Sequence, residues 1–175
     1  IKPIFDRFTA ETGIAVNLVH DDADKLLVRL KSEGINSPAD LFLTVDVGRI
    51  AKAEAEGLLQ PVHSEALEAN VPANMRDPEG HWYGLSKRAR VIFYAVDRVS
   101  PDELSSYEDL ADPKWKGRIC VRSSNNIYNQ SLVASLIAAH GIETVEAWAR
   151  ALVENFARAP KGGDTDQLRA VAAVE

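Results

Sequence analysis

The stretch Arg90-Val91-Ile92-Phe93-Tyr94-Ala95-Val96-Asp97-Arg98-Val99-Ser100-Pro101-Asp102-Glu103 decides the organisation of this chain. Its first seven residues are rich in β-branched and aromatic side chains and predict a strand over 90–96. Ser100, Pro101 and Glu103 then form a capping-box pattern with proline at the first helical position, so a helix is expected to start there. A strand that leads into a new set of elements marks a lobe boundary, placed at residues 96–100. Residues 1–96 read as an N-terminal lobe lacking its first strand, and residues 97–175 as part of a C-terminal lobe.

Outward from this point, strand and helix alternate. Upstream, Ile4, Phe5 and Phe8 share one face of a helix over 1–12 that Gly13 stops. A strand over 14–19, a helix over 23–33 with Leu26, Leu27 and Leu30 inward, a strand over 39–45 and a helix over 47–56 follow. A loop rich in Pro, Asn and Asp runs over 61–80. Downstream, a short strand over 119–122 precedes helices over 128–140 and 143–156, and Asp164-Thr165-Asp166-Gln167 caps a last helix that runs to the C-terminus. Alternation of this kind predicts an α/β fold with a mostly parallel sheet. The chain opens and stops within helices, so the fold is expected to be incomplete at both ends.

Composition narrows the function classes. With 175 residues, 46% of them hydrophobic and 26% charged, the chain has ordinary globular values and can bury about 70% of its extended-chain surface. A net charge of −6 with scattered basic residues argues against a nucleic-acid footprint. No apolar run approaches the roughly 20 residues of a membrane span, and no signal peptide is recognisable. Walker loops, dinucleotide fingerprints, zinc clusters and nucleophile elbows are absent from the sequence.

The candidate site begins at Tyr128, in the polar run Ser123-Ser124-Asn125-Asn126-Ile127-Tyr128-Asn129-Gln130 ahead of an apolar helix. A phenol at such a helix entry can face a cleft, although packing is the common use of tyrosine there. Arg88 and Arg90 alternate along a strand, so both project from one face and together invite an anion, with Lys87 turned away. Pairing with local carboxylates is the ordinary alternative. Asp46 reads as the N-cap of the next helix, Asp21-Asp22 as a helix cap, and His140 as a donor at a helix C-terminus. His20, His63 and His81 fall in polar loops without paired ligand spacing. Gly162-Gly163 ahead of Asp164 suits either an anion-binding nest or a tight turn.

Three stretches carry a family resemblance: Gly84 to Tyr94, Tyr107 to Cys120, and Pro160-Lys161-Gly162-Gly163-Asp164-Thr165-Asp166-Gln167. With the run around Tyr128, they resemble the ferric-iron-binding proteins of bacterial ABC importers, in their tyrosine-rich subgroup. The resemblance implies a two-lobed type II periplasmic binding fold in which Arg90 to Val96 is the first hinge crossing. It also implies a periplasmic or lipid-anchored location, ABC permease subunits as partners, and no enzymatic activity. Fe(III) would be the transported ligand, with carbonate as a candidate synergistic anion.

Ferric ion is a hard cation that favours anionic oxygen, and the resemblance makes Tyr128 a direct metal ligand. Arg88, Arg90 and Asn129 follow as anion-binding or supporting residues near the cleft. The family's other tyrosine ligands match segments outside this chain. A second subgroup uses a glutamate after the strand at 40–43, where this sequence has Thr44-Val45-Asp46, and Val45 cannot coordinate a metal. A cysteine often follows the segment matching 171–175 in relatives, as a candidate partner for Cys120. Related two-lobed proteins carry thiamine, polyamines or phosphonates, which keeps a small organic ligand as the alternative cargo. The expected incompleteness implies that the chain alone does not hold iron tightly.

Overall fold

A computed structural model describes residues 2–173. Seven α-helices order the chain: α1 (Lys2–Thr12), α2 (Ala23–Glu33), α3 (Val47–Ala55), α4 (Glu65–Asn70), α5 (Ile127–His140), α6 (Ile142–Glu154) and α7 (Asp164–Ala172). Five of these match the sequence reading to within about two residues. Ile1, Val174 and Glu175, at the ends of the first and last predicted helices, lie outside the described residues. α4 was not expected; it forms within the 61–80 loop, where Glu65 and Glu68 place negative charge at the positive helix end.

The predicted strands require a correction. Among the described residues, pairing is limited to isolated bridges at Arg76–Tyr83 and Ile119–Phe156, so 14–19, 39–45, 90–96 and 119–122 form no ladder. A strand is assigned only when a neighbour takes its backbone hydrogen bonds. The segment 39–45 nevertheless keeps the period of two: Phe42 and Thr44 are half-buried while Leu41, Leu43 and Val45 are exposed. Residues 90–96 alternate less regularly: Ile92 and Ala95 are half-buried while Val91, Phe93, Tyr94 and Val96 are exposed, the last at 86%.

The helix expected from Ser100 is also corrected, to a single 3-10 turn over Pro101–Glu103. The capping-box contact is present, with Ser100 N–H donating to Glu103 Oε1 at 2.9 Å. Elongation stops because Asp109 Oδ2 accepts the backbone N–H groups of Ser105 (2.7 Å) and Ser106 (2.9 Å). A carboxylate that captures backbone donors in this way competes with the helix.

Packing concentrates around α5, which lies against α6 and α3, while α6 also packs on the 3-10 turn Glu108–Ala111. Trp115 and Val145 are buried in the C-terminal half and Leu27 and Ala53 in the N-terminal half. Asn155, 2% exposed, ties the C-terminal half together. Its side-chain amide donates to Leu110 O (2.9 Å) and Asp112 O (2.8 Å), and its backbone carbonyl accepts from the backbone N–H groups of Arg118 and Ile119. Asn155→Ala removes both side-chain bonds from a buried position and takes from Leu110 O the donor it has in the Asn155 amide, so unfolding in urea should show a loss of about 1–3 kcal/mol. A loss below about 0.5 kcal/mol would mean that water replaces the amide.

Candidate metal-ligand site around Tyr128

Tyr128 is positioned by the start of α5. Asn126 caps that helix, its side-chain oxygen accepting the Tyr128 N–H at 3.0 Å. Asn129 donates from its amide to Arg122 O (2.8 Å) and Ser123 O (3.2 Å), fastening the incoming loop to the helix. The phenol is thereby carried, half-buried, on a fixed first turn.

Two guanidiniums lie over the Tyr128 ring, Arg90 at 5.3 Å and Arg122 at 5.7 Å from its centroid. Asp164, the first residue of α7, bridges them, with Oδ1 3.6 Å from Arg90 Nη1 and Oδ2 3.0 Å from Arg122 Nη1. The Arg122 Nε is shielded from solvent and has no hydrogen-bond acceptor among the described residues. Arg90 is held from behind, because Tyr107 Oη donates to its carbonyl at 2.8 Å and Trp148 Nε1 donates to Tyr107 O at 3.0 Å. Burial raises the Tyr107 phenol above its ordinary range, against a smaller opposing effect of Arg90. It therefore remains a neutral donor at physiological pH.

The N-terminus of α3 reaches the same place. Asp46 caps it, accepting from Gly48 N–H (2.9 Å) and from Ser131 Oγ on α5 (2.6 Å). Its φ of 76° is the one left-handed value at a non-glycine residue among those described, a conformation that costs on the order of 1–3 kcal/mol. The two side-chain bonds hold it there. A Cβ at Gly48 would lie 3.1 Å from Ile127 Cδ1, so a bare backbone lets the two helix starts meet. Arg49 follows, paired with Asp24 through Nε at 2.9 Å. Asp24 raises the Arg49 guanidinium above the usual range against an opposing effect of burial, with smaller contributions from Asp22 and then Tyr128.

The structure thus brings together Tyr128, Arg90 and the capping Asp46, and adds Arg122, Arg49 and Asp164. Arg88 is exposed and is not placed over the Tyr128 ring. His140 stands in the last turn of α5, exposed, with its Nε2 2.8 Å from Glu108 Oε1. Asp22 caps α2, and the Gly162-Gly163 turn is filled by Asp166, whose carboxylate accepts the Gly163 N–H at 2.7 Å. Cys120 is a half-buried free thiol. Arg122 had one signal in sequence, its place directly before the polar run. Asp164 resembled only a cap.

The family described as bacterial extracellular solute-binding protein matches residues 36–174. The chain belongs to that family. This solute-binding protein is 59% identical to iron uptake protein A1 of Synechocystis over 98% of the chain and 48% of that protein. It is 31% identical to the major ferric iron-binding protein of Neisseria meningitidis over 87% of the chain and 46% of that protein. In three dimensions it matches a Trichodesmium protein solved in complex with iron and citrate ligands, with a TM-score of 0.94 and 57% identity over 98% of the chain and 54% of that structure. The chain spans about half the length of the curated relatives it matches. Its fold class is the two-lobed periplasmic binding fold of these relatives, and its resemblance to the ferric-iron-binding proteins is borne out. No helix among the described residues is long and apolar enough to cross a membrane.

Proposed function

We propose that this chain is part of the ferric-iron-binding component of a bacterial ABC importer, with Tyr128 as a tyrosinate ligand to Fe(III). The observation that carries this reading is the stacking of Arg90 and Arg122 on the Tyr128 ring, at the point where the positive ends of α3 and α5 converge. Several phenolates around one trivalent ion accumulate negative charge, and fixed guanidiniums offset it. The unpaired Arg122 Nε supplies a donor suited to an anionic group that accompanies the ion, such as carbonate. Names of the similar proteins, iron uptake and ferric iron-binding, support the same cargo. Residues 1–96 and 97–175 fall to two lobes on this reading, joined near Tyr128 by the Asp46–Ser131 bond.

The protein captures iron in the periplasm and docks on permease subunits, without catalysis of its own. Mixing the full-length protein with ferric citrate tests the cargo directly: a visible phenolate-to-iron absorption band is expected. A colourless protein that binds thiamine, a polyamine or a phosphonate would refute it.

The arginines differ in role. Arg90→Ala and Arg122→Ala each remove a charge stacked on the ligand, and each should weaken ferric binding about 10–100-fold. Arg88→Ala, on an exposed side chain, should change it less than about threefold. Competition with citrate in the full-length protein ranks the three, and equal losses at Arg88 and Arg90 would contradict this assignment.

A further inference from the structure

Glu54, Asp77 and His81 meet away from Tyr128. His81 Nδ1 lies 2.9 Å from Asp77 Oδ2 and 3.6 Å from Glu54 Oε1, and the three donor atoms are all within 4.8 Å of one another. Their side chains are 20%, 11% and 31% exposed, sheltered yet reachable from solvent. In sequence His81 sits in a polar loop, four residues after Asp77 and without a second histidine at ligand spacing. The fold supplies the third donor, Glu54, by laying that loop on α3.

Each donor is held by its own support. The turn at 77–80 closes with Gly80 N–H on Asp77 O at 3.1 Å, and Asp77 N–H donates back to Trp82 O at 3.1 Å. Asp77 Oδ2 also accepts from the backbone N–H groups of Glu79 (3.1 Å) and His81 (3.0 Å). Trp82 Nε1 donates to Glu54 Oε2 at 3.1 Å, which docks the loop on the helix and leaves Oε1 turned toward the imidazole. Carboxylates oriented by outer hydrogen bonds are the usual surroundings of a bound metal.

We propose that Glu54, Asp77 and His81 form a site for a divalent first-row transition cation such as Zn²⁺, separate from the site at Tyr128. Bonds of 2.0–2.2 Å in a tetrahedral arrangement put neighbouring ligand atoms about 3.4 Å apart. The two spacings from the imidazole, 2.9 and 3.6 Å, bracket that edge, and the third, between the carboxylates, is no more than 4.8 Å, so modest side-chain adjustment closes the three donors around the ion. Two carboxylates and one neutral imidazole match a dication in charge, and one nitrogen with two oxygens is a borderline donor set. A water completes the fourth position. Asp46, beside Tyr128, caps one end of α3 and Glu54 lies at the other; nine residues make the helix about 13 Å long, so the two sites load independently.

Co²⁺ is the probe, titrated into metal-free full-length protein and followed by its visible d–d absorption. One equivalent should bind with the intense spectrum of a tetrahedral centre. His81→Ala and Glu54→Gln should each weaken it at least about tenfold, with circular dichroism confirming that the fold is kept. Should His81→Ala fail to fold, Glu54→Gln carries the test alone. Tyr128→Phe should lose ferric ion and keep Co²⁺, which separates this proposal from the ferric one. No Co²⁺ uptake, undiminished uptake in the folded variants, or loss of uptake in Tyr128→Phe would overturn it.

Discussion

Tyr128→Phe in the full-length protein is expected to lower ferric affinity by on the order of 100-fold or more, since it removes a ligand where loss of a supporting group alone costs about 10–100-fold. The ring remains, so Arg90 and Arg122 keep their stacking partner, and the Asn126 cap uses only the backbone of residue 128. Stability should therefore change by less than about 1 kcal/mol. The visible band should weaken or shift as one phenolate leaves the ion. An unchanged spectrum with unchanged affinity would remove Tyr128 from the ligand set.

The second large effect concerns the 175-residue chain taken alone, which should bind ferric ion at least about 1,000-fold more weakly than the full-length protein, because each missing ligand multiplies the loss. Of its four tyrosines, Tyr107 and Tyr83 spend their hydroxyls on the carbonyls of Arg90 and Val62. Tyr128 is the one stacked by the arginines. The same chain should self-associate. Leu41 (89% exposed), Phe93 (64%) and Val96 (86%) lie on extended segments without ladder partners, and unpaired apolar edges recruit other chains. Ferric citrate titration and a sizing column check both halves; a monomer that binds one equivalent tightly would contradict them.

What was legible in the sequence is what local chemistry decides. α2 runs from the residue after its Asp22 cap to the residue before Gly34, and α5 starts after Asn126 and stops at Gly141, because caps and stops act within one turn. The strands were legible as pattern but not as pairing. Residues 39–45 alternate as a strand should, yet a ladder needs a neighbour distant in sequence, and none among the described residues supplies it. Ser100 shows the limit of a local signal: its capping box forms, but Asp109 takes the next donors and ends the helix after one turn.

The candidate site divides in the same way. Tyr128 is marked by its polar approach, and Arg90 by the strand that carries it. Whether Arg88 or Arg90 reaches the ring depends on Tyr107 and Trp148 holding the Arg90 backbone, a tertiary contact with no trace in the strand itself. Arg122 and Asp164 join through packing of α7 beside α5's entry loop. His81 is the clearest case, since its partners Glu54 and Asp77 are assembled by a turn and by Trp82.

Anomalous scattering at the iron absorption edge, recorded from crystals of the full-length protein loaded with ferric ion, tests the ferric assignment most directly. A single strong peak within bonding distance of Tyr128 Oη, with Arg90 and Arg122 beside the phenolate, is the expected result. Iron bound elsewhere, with Tyr128 Oη uncoordinated, would contradict it.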